Sequence, residues 1–294
     1  MIADQVVEQI AQQVADQPDF ITPHITDAHT LDYPCFHSGF VCEYELPRWD
    51  PIHIGRFAID ISPTRHVVML WIAALLCILT TLIALRAHSR RTRDGNAPSG
   101  FGNGLEALVL YLRNEVVLPN VGAHGNAFVP YLLTLFFFIL YVNLLGLIPY
   151  GSTATGNISV TATLAIVTFF VIEIAGMRAL GRGYINTIVF WPHDMSLGMK
   201  IFISPILTPI EIIGKLTKPF ALAIRLFANM ISGHVVLLAL ISLIFTFATW
   251  ILVPLPVAMA LGISFLELFV AFLQAFIFML LSSVFIGLIR EGAH

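Results

Sequence analysis

Arg225 stands where a charged residue is least expected. It lies in the run PFALAIRLFANMISGH, flanked by Leu, Ile and Phe, and apolar sequence continues for several helical turns beyond it. A guanidinium keeps its charge at any physiological pH. Deep in lipid such a charge is costly and usually marks an ion path or a paired charge; the alternative is a side chain that snorkels to the interface. Asn229 and Gly233 follow at i+4 and i+8, on roughly the same helical face. His234 lies nine residues on, about 13–14 Å along a helix axis. In the next apolar segment Glu267 and Gln274 are seven residues apart, so they also share a face, with about 10 Å between them. If the two segments run antiparallel with Gln274 level with Arg225, then His234 and Glu267 reach one depth on the same side. An acid beside a histidine can relay protons, since both groups can be tuned toward neutral pH. The same pair could equally be a hydrogen bond or ion pair that holds the two helices together, and one role does not exclude the other. Glu211 lies fourteen residues before Arg225, about 21 Å toward the opposite side. It either lines a route on that side or forms a local salt bridge with Lys215 at i+4. Titratable groups thus flank one fixed cation. A fixed positive charge repels protons and a continuous pore would short-circuit a membrane, so the expected device is two half-paths separated by a positive barrier.

These residues need apolar helices to position them. The chain has 294 residues, 57% hydrophobic and 11% charged, against about a quarter charged in a soluble domain. That composition predicts an all-α integral membrane protein. Apolar runs place five crossings at about 67–86, 127–149, 158–177, 200–248 and 255–289. The last two are too long for a hydrocarbon core about 30 Å thick. They must be strongly tilted, bent or partly outside lipid, and Pro205, Pro209 and Pro219 can bend the first of them. Between the first two crossings, residues 101–115 read as an amphipathic helix lying near an interface or against protein, because its apolar positions are interrupted by Glu106, Arg113 and Glu115. Arg86, Arg90, Arg91 and Arg93 close the first crossing, and Arg178 and Arg182 follow the third. The positive-inside rule puts both groups in the cytoplasm. Residues 1–64 are then an extracytoplasmic segment ahead of a membrane domain at 65–294, with His294 cytoplasmic.

The opening MIADQVVEQIAQQVADQPDF is no signal peptide, having early acids and neither a basic nor a long apolar stretch. A short surface helix is expected at 4–17 and an irregular cap beyond Pro18. Cys35 and Cys42 either pair as a disulfide on the oxidising side or stay free; their spacing matches no strong metal-binding pattern. The net charge of −3 gives no basic face for nucleic acid.

Three blocks carry a resemblance. PIEIIGKLTKPFALAIRLFANMISGH and LELFVAFLQAFIFMLLSSVFIG resemble the two signature regions of the subunit a family of F-type ATP synthases, and NLLGLIP at Asn143–Pro149 also fits. The resemblance covers roughly residues 101–289. It implies a stationary membrane subunit beside a rotating c-ring of proteolipid subunits, with peripheral-stalk b subunits, membrane lipid and protons as its other partners, in a bacterial inner membrane. The family's essential arginine falls on Arg225 and its associated asparagine on Asn229. The variable polar position after the small-Gly pair falls on His234, the polar position facing it on Glu267, the glutamine beside the arginine on Gln274 and the cytoplasmic acid on Glu211. Ser232 stands where relatives often carry Ala, and both are small. The family has no catalytic site in this subunit and no cofactor or metal is expected. No Gly-rich GK[ST] phosphate loop is present, so direct nucleotide binding is not expected either.

Other classes read less well. A self-contained transporter or channel would need its own alternating halves, and no internal repeat is visible. A purely structural scaffold would not require Arg225. A V-type subunit would be larger and carry different arginine motifs.

Overall fold

The computed structural model describes residues 26–35, 41–54, 57–94, 101–122, 125–148, 151–188, 197–247 and 253–291. The helix expected at 4–17, Pro149 and His294 lie outside these residues.

Five helices are long and apolar enough to cross a membrane, and their spans are Arg65–Ile83, Val129–Leu147, Ile158–Leu180, Phe202–Leu243 and Pro254–Arg290. The first belongs to α1 (Arg65–Asp94). A second helical segment starts as α2 (Phe101–Tyr111), widens into i→i−5 turns over Leu112–Val117 and ends in the single turn α3 (Leu118–Val121). The crossings continue as α4 (Val129–Leu147), α5 (Ile158–Leu180), α6 (Leu197–Phe247) and α7 (Pro254–Glu291). Pro130 opens α4, where a missing N–H costs nothing. Asn157 caps α5 by accepting from the Ser159 N–H at 2.9 Å. Gly181, at φ 54°, ends α5 in a conformation that side chains with a Cβ rarely adopt. The 51 residues of α6 make about 76 Å of helix and the 38 of α7 about 57 Å, so neither fits upright in the hydrocarbon core.

The core lies where α4 and α7 pack together, with Leu132, Phe136, Ile139, Phe278, Met279 and Ile286 almost fully buried. The segment between α2 and α3 joins this core. Leu112, Val116 and Val117 of the widened turns and Val121 of α3 are buried in it, so this end of the segment packs against protein, whereas no described residue of α2 is buried. Gly287 permits the approach of α7, because a Cβ there would run into the Asn120 carbonyl. One turn further, the Arg290 guanidinium donates to Val121 O at 3.1 Å and lies 5.4 Å from the centre of the Phe128 ring.

The segment before α1 is more ordered than an irregular cap. It forms two antiparallel hairpins, β1 (Thr30–Pro34) with β2 (Val41–Glu45) and β3 (Ile52–Ile54) with β4 (Phe57–Ile59). Cys35 and Cys42 are joined in a disulfide, with Cα atoms 5.7 Å apart, which closes the first hairpin. The pairing signal was diluted in the sequence by the Pro, His and Asp between the short strands. This segment is tied to the start of α1. The Arg65 N–H donates to Ala28 O at 2.8 Å. The Arg65 guanidinium donates to Thr26 O at 2.7 Å and pairs with Asp32 at 3.2 Å. Asp60 accepts from the Ser62 N–H at 2.8 Å, and hydrogen bonding from the Ser62 side chain and backbone holds its carboxyl below the usual range.

Candidate functional site

Of the residues singled out in the sequence, Glu267, Gln274 and His234 gather on the inner faces of α6 and α7, whereas Arg225 faces outward. Glu267 and Gln274 are buried on one stripe of α7, at 8% and 4% exposure. The carboxylate of Glu267 lies against Gly233 of α6, and a Cβ at Gly233 would occupy the same space as the carboxylate. Glu267 therefore sits beside the residue preceding His234, as the matched depth requires. The imidazole makes a different bond, however. His234 Nε2 is hydrogen-bonded to the Thr153 hydroxyl in the loop before α5, not to Glu267. Glu267 Oε2 is buried with no hydrogen-bond partner among the described residues.

Two further polar residues complete this cluster. Asn143, fully buried on α4, donates through Nδ2 to Ala271 O at 3.3 Å, one turn along α7 from Glu267. Its Oδ1 accepts from the Thr155 hydroxyl at 2.8 Å. Thr153 and Thr155 were not among the residues expected at the site. Their only sequence signal was the polar run GSTATGN, which reads as an ordinary turn.

Arg225 is not buried within this chain. Its side chain lies on an exposed face of α6, with the small residues Ala221, Ala228 and Ser232 exposed around it. Phe220, at 65%, and Ile224, at 40%, are exposed on the same helix. Asn229, at i+4, is half-buried at the edge of that face. The exposed side of α7 is also apolar, with Phe265 at 73% and Phe269 at 61%. A soluble surface would not concentrate such residues around one cation. Lipid would accept the apolar ones but not Arg225.

The other end of α6 holds a second polar site. Glu211 lines a cavity of about 140 Å³ between α5, α6 and α7, together with Glu173, Thr187, Lys215, Lys218 and Phe285. The salt bridge considered between Glu211 and Lys215 does not form. Lys215 pairs with Glu173 of α5 at 3.5 Å, donates to the Thr187 hydroxyl at 3.1 Å and lies 4.8 Å from the Tyr184 ring centre. Lys218 extends over the Phe285 ring at 5.2 Å. Lys215 turns across to α5 because a carboxylate there comes with a hydroxyl and an aromatic face from the 3-10 segment that follows it, three partners in place of one. The Glu173–Lys215 pair was not foreseen; the lone acid near the end of an apolar run was its only trace.

The arrangement separates two groups of acid and histidine side chains along α6. Glu267 and His234 lie on one side of Arg225 and Glu211 on the other, with the arginine between them on the outer face. Among the described residues no group of three or more His, Cys, Asp and Glu converges as a metal site would require.

Comparisons with known proteins agree with one another. The family described as ATP synthase A chain matches residues 67–287. A protein of Chloroherpeton thalassium named ATP synthase subunit a is 47% identical over 265 residues, covering 90% of this chain and 74% of the relative. ATP synthase subunit a 2 of Prosthecochloris aestuarii is 47% identical over 273 residues, 92% of this chain and 78% of the relative. ATP synthase subunit a of Anaeromyxobacter dehalogenans is 44% identical over 281 residues, 92% and 69%.

Proposed function

Because the chain belongs to the ATP synthase subunit a family, part of the proton-translocating membrane sector, we propose that it is the stationary subunit that gives protons access to a rotating c-ring through two offset half-paths. The observation that carries this reading is Arg225, set among the small and apolar residues Ala221, Ile224, Ala228 and Ser232 on an exposed helix face. Such a face is complementary to a partner that is itself apolar, approaches closely and brings an anion to the level of Arg225. A proteolipid ring with one membrane carboxylate per subunit has that chemistry.

In this mechanism a proton is taken up from the outside and passed along His234 and Glu267 to the carboxylate of a neighbouring c-subunit. Once neutral, that carboxyl can face lipid, since moving the charged form there is expensive. Rotation returns it to the opposite side, where it loses its proton toward the cavity lined by Glu211. Arg225 attracts the carboxylate so formed and keeps protons from crossing directly between the half-paths. Asn229, one turn beyond the arginine at the edge of its face, offers a hydrogen-bonding amide there, and Gln274 offers one from the buried face of α7. Glu173 holds Lys215 away from Glu211, which leaves that acid available. ATP chemistry takes place elsewhere in the complex, to which peripheral-stalk b subunits hold this chain fixed.

Cross-linking tests the partner. Ala228→Cys, one turn from Arg225, is expected to form oxidative cross-links with a cysteine placed beside the c-subunit carboxylate. A cysteine on the exposed side of α1, Ile78→Cys, serves as the control. Cross-linking at 78 but not at 228 would contradict the proposed face. The proposed orientation is supported by the arginines at the end of α1 and by the disulfide, which belongs on an oxidising side. After mild reduction of intact cells, a membrane-impermeant maleimide is expected to label Cys35 and Cys42 from outside. Labelling only in inverted vesicles would reverse the topology.

A further inference from the structure

At the outer end of the bundle, the extramembrane segment delivers a carboxylate to a buried histidine that the mechanism above does not use. His66, in the first turn of α1, is only 3% exposed, while the Asp27 side chain beside it is 29% exposed. Asp27 Oδ1 lies 3.4 Å from His66 Nδ1. The same oxygen accepts from the backbone N–H of His66 at 3.3 Å and of Ala28 at 3.1 Å, which fixes the carboxylate on the ring. Asn157 Nδ2 lies 3.3 Å from the same ring nitrogen. The orientation of this amide is set independently, because its Oδ1 is occupied in capping α5. Nδ1 of His66 therefore has a partner in either state. When bare it accepts from the Asn157 amide, and when protonated it donates to Asp27. His66 Nε2 is buried with no partner among the described residues.

The position of Asn157 connects this histidine to the inner cluster. One 3-10 turn, Ala154–Gly156, separates Asn157 from Thr153, and it is closed by Asn157 N–H to Ala154 O at 3.1 Å and Gly156 N–H to Thr153 O at 2.9 Å. Thr153 carries the hydrogen bond to His234. Ser152 Oγ beside it, Nε2 of His66 and Oε2 of Glu267 are all buried polar atoms without partners among the described residues. Buried atoms of this kind are the ones that water satisfies.

We propose that His66 is the proton-collecting residue at the outer mouth of the half-path, loaded through Asp27 of the extramembrane segment and discharging toward Thr153 and His234. This rests on the half-path reading above. A proton from outside water binds Nδ1, and Asp27 compensates the imidazolium. The imidazolium then gives its Nε2 proton to water on the inner side, and a flip of the ring brings the bare nitrogen back to the Asn157 amide, so each cycle moves one proton and leaves His66 unchanged. The charged groups facing His66 are Asp27 and its neighbour Arg65, whose own charge is balanced by Asp32. The group facing it from α5 is Asn157, which is neutral. The segment before α1 thus acquires a function, which is to hold an exposed acid over a buried base.

The test is ATP synthesis by the whole complex in proteoliposomes, driven by a proton gradient, with the pH on the outer-equivalent side varied. His66→Gln retains hydrogen-bonding capacity but cannot carry a proton. It is expected to work nearly as well as wild type when that side is acidic and to fall about tenfold or more near neutrality, where collection becomes limiting. Added imidazole on that side is expected to restore most of the loss. Asp27→Asn keeps the oxygen that accepts from Ala28 and His66, and is expected to show the same pH-dependent loss in weaker form. A wild-type pH profile in both variants would overturn the proposal. So would an equal loss at every pH with no imidazole rescue, because that is the behaviour of a structural residue. Arg225→Ala, assayed in the same preparation, is expected to be inactive at every pH; retained activity there would overturn the half-path reading itself, and this inference with it.

Discussion

Arg225→Ala is expected to abolish proton-driven ATP synthesis in a complex that still inserts and assembles. The side chain makes no contact that the fold of this chain requires, since it lies on an exposed face of α6. Its proposed role begins only when a c-subunit carboxylate arrives. Removing one partner of a desolvated charge pair costs about 3–5 kcal/mol. With each 1.4 kcal/mol worth a factor of ten in rate, the loss should be at least about a hundredfold. Arg225→Lys is expected to be nearly as damaging. An ammonium loses its proton more readily when desolvated and lacks the planar fork of donors. Substitutions at Asn229 and Gln274 are expected to cost less, since they remove a neutral amide and leave the charge. Synthesis rates in vesicles, normalised to assembled complex, check all four. Near-normal synthesis by an assembled Arg225→Ala complex would revive the scaffold reading.

The second large effect is expected at Gly233. A methyl group there would take the space held by the Glu267 carboxylate. Alanine is the better helix former by about 1 kcal/mol, so Gly233→Ala should not weaken α6. It should instead displace the acid from its place beside His234. A misplacement of this size is expected to reduce coupled synthesis by about tenfold to a hundredfold while assembly and thermal stability are unchanged or improved. Gly214→Ala is the control, because nothing lies within 4 Å of a Cβ at that position. Glu267→Asp, shorter by one methylene, is expected to recover part of the activity in the Gly233→Ala background. Full activity of Gly233→Ala alone would show that the position of the carboxylate does not matter.

These expectations could be framed because much of the membrane architecture is written in the sequence. Runs of apolar residues must become helices in lipid, where every backbone amide needs an internal partner. The lengths of those runs alone showed that α6 and α7 could not stand upright. Helical spacing placed Glu267 close to the right level, since rise per residue is a fixed quantity. Spacing carries no information on which way a side chain turns across an interface. His234 was therefore matched with Glu267, whereas its imidazole goes to Thr153, a residue of a turn with no periodicity to read. Lys215 was matched to Glu211 on its own helix, whereas α5 offered it Glu173 and the segment after α5 offered Thr187 and Tyr184. Arg225 was expected to be buried; the structure shows it buried by nothing in its own chain. The hairpins before α1 were missed because their strands are only three to five residues long and interrupted by turn-forming residues.

The central claim is that one fixed charge separates two half-paths, and passive proton flux tests it most directly. Membrane vesicles stripped of the nucleotide-hydrolysing sector, with the ring cross-linked so that it cannot turn, leave no route for protons except a direct one. Under those conditions the wild-type chain is expected to hold an imposed pH gradient and Arg225→Ala to dissipate it. Equal flux through both, whether both are tight or both leak, would contradict the account.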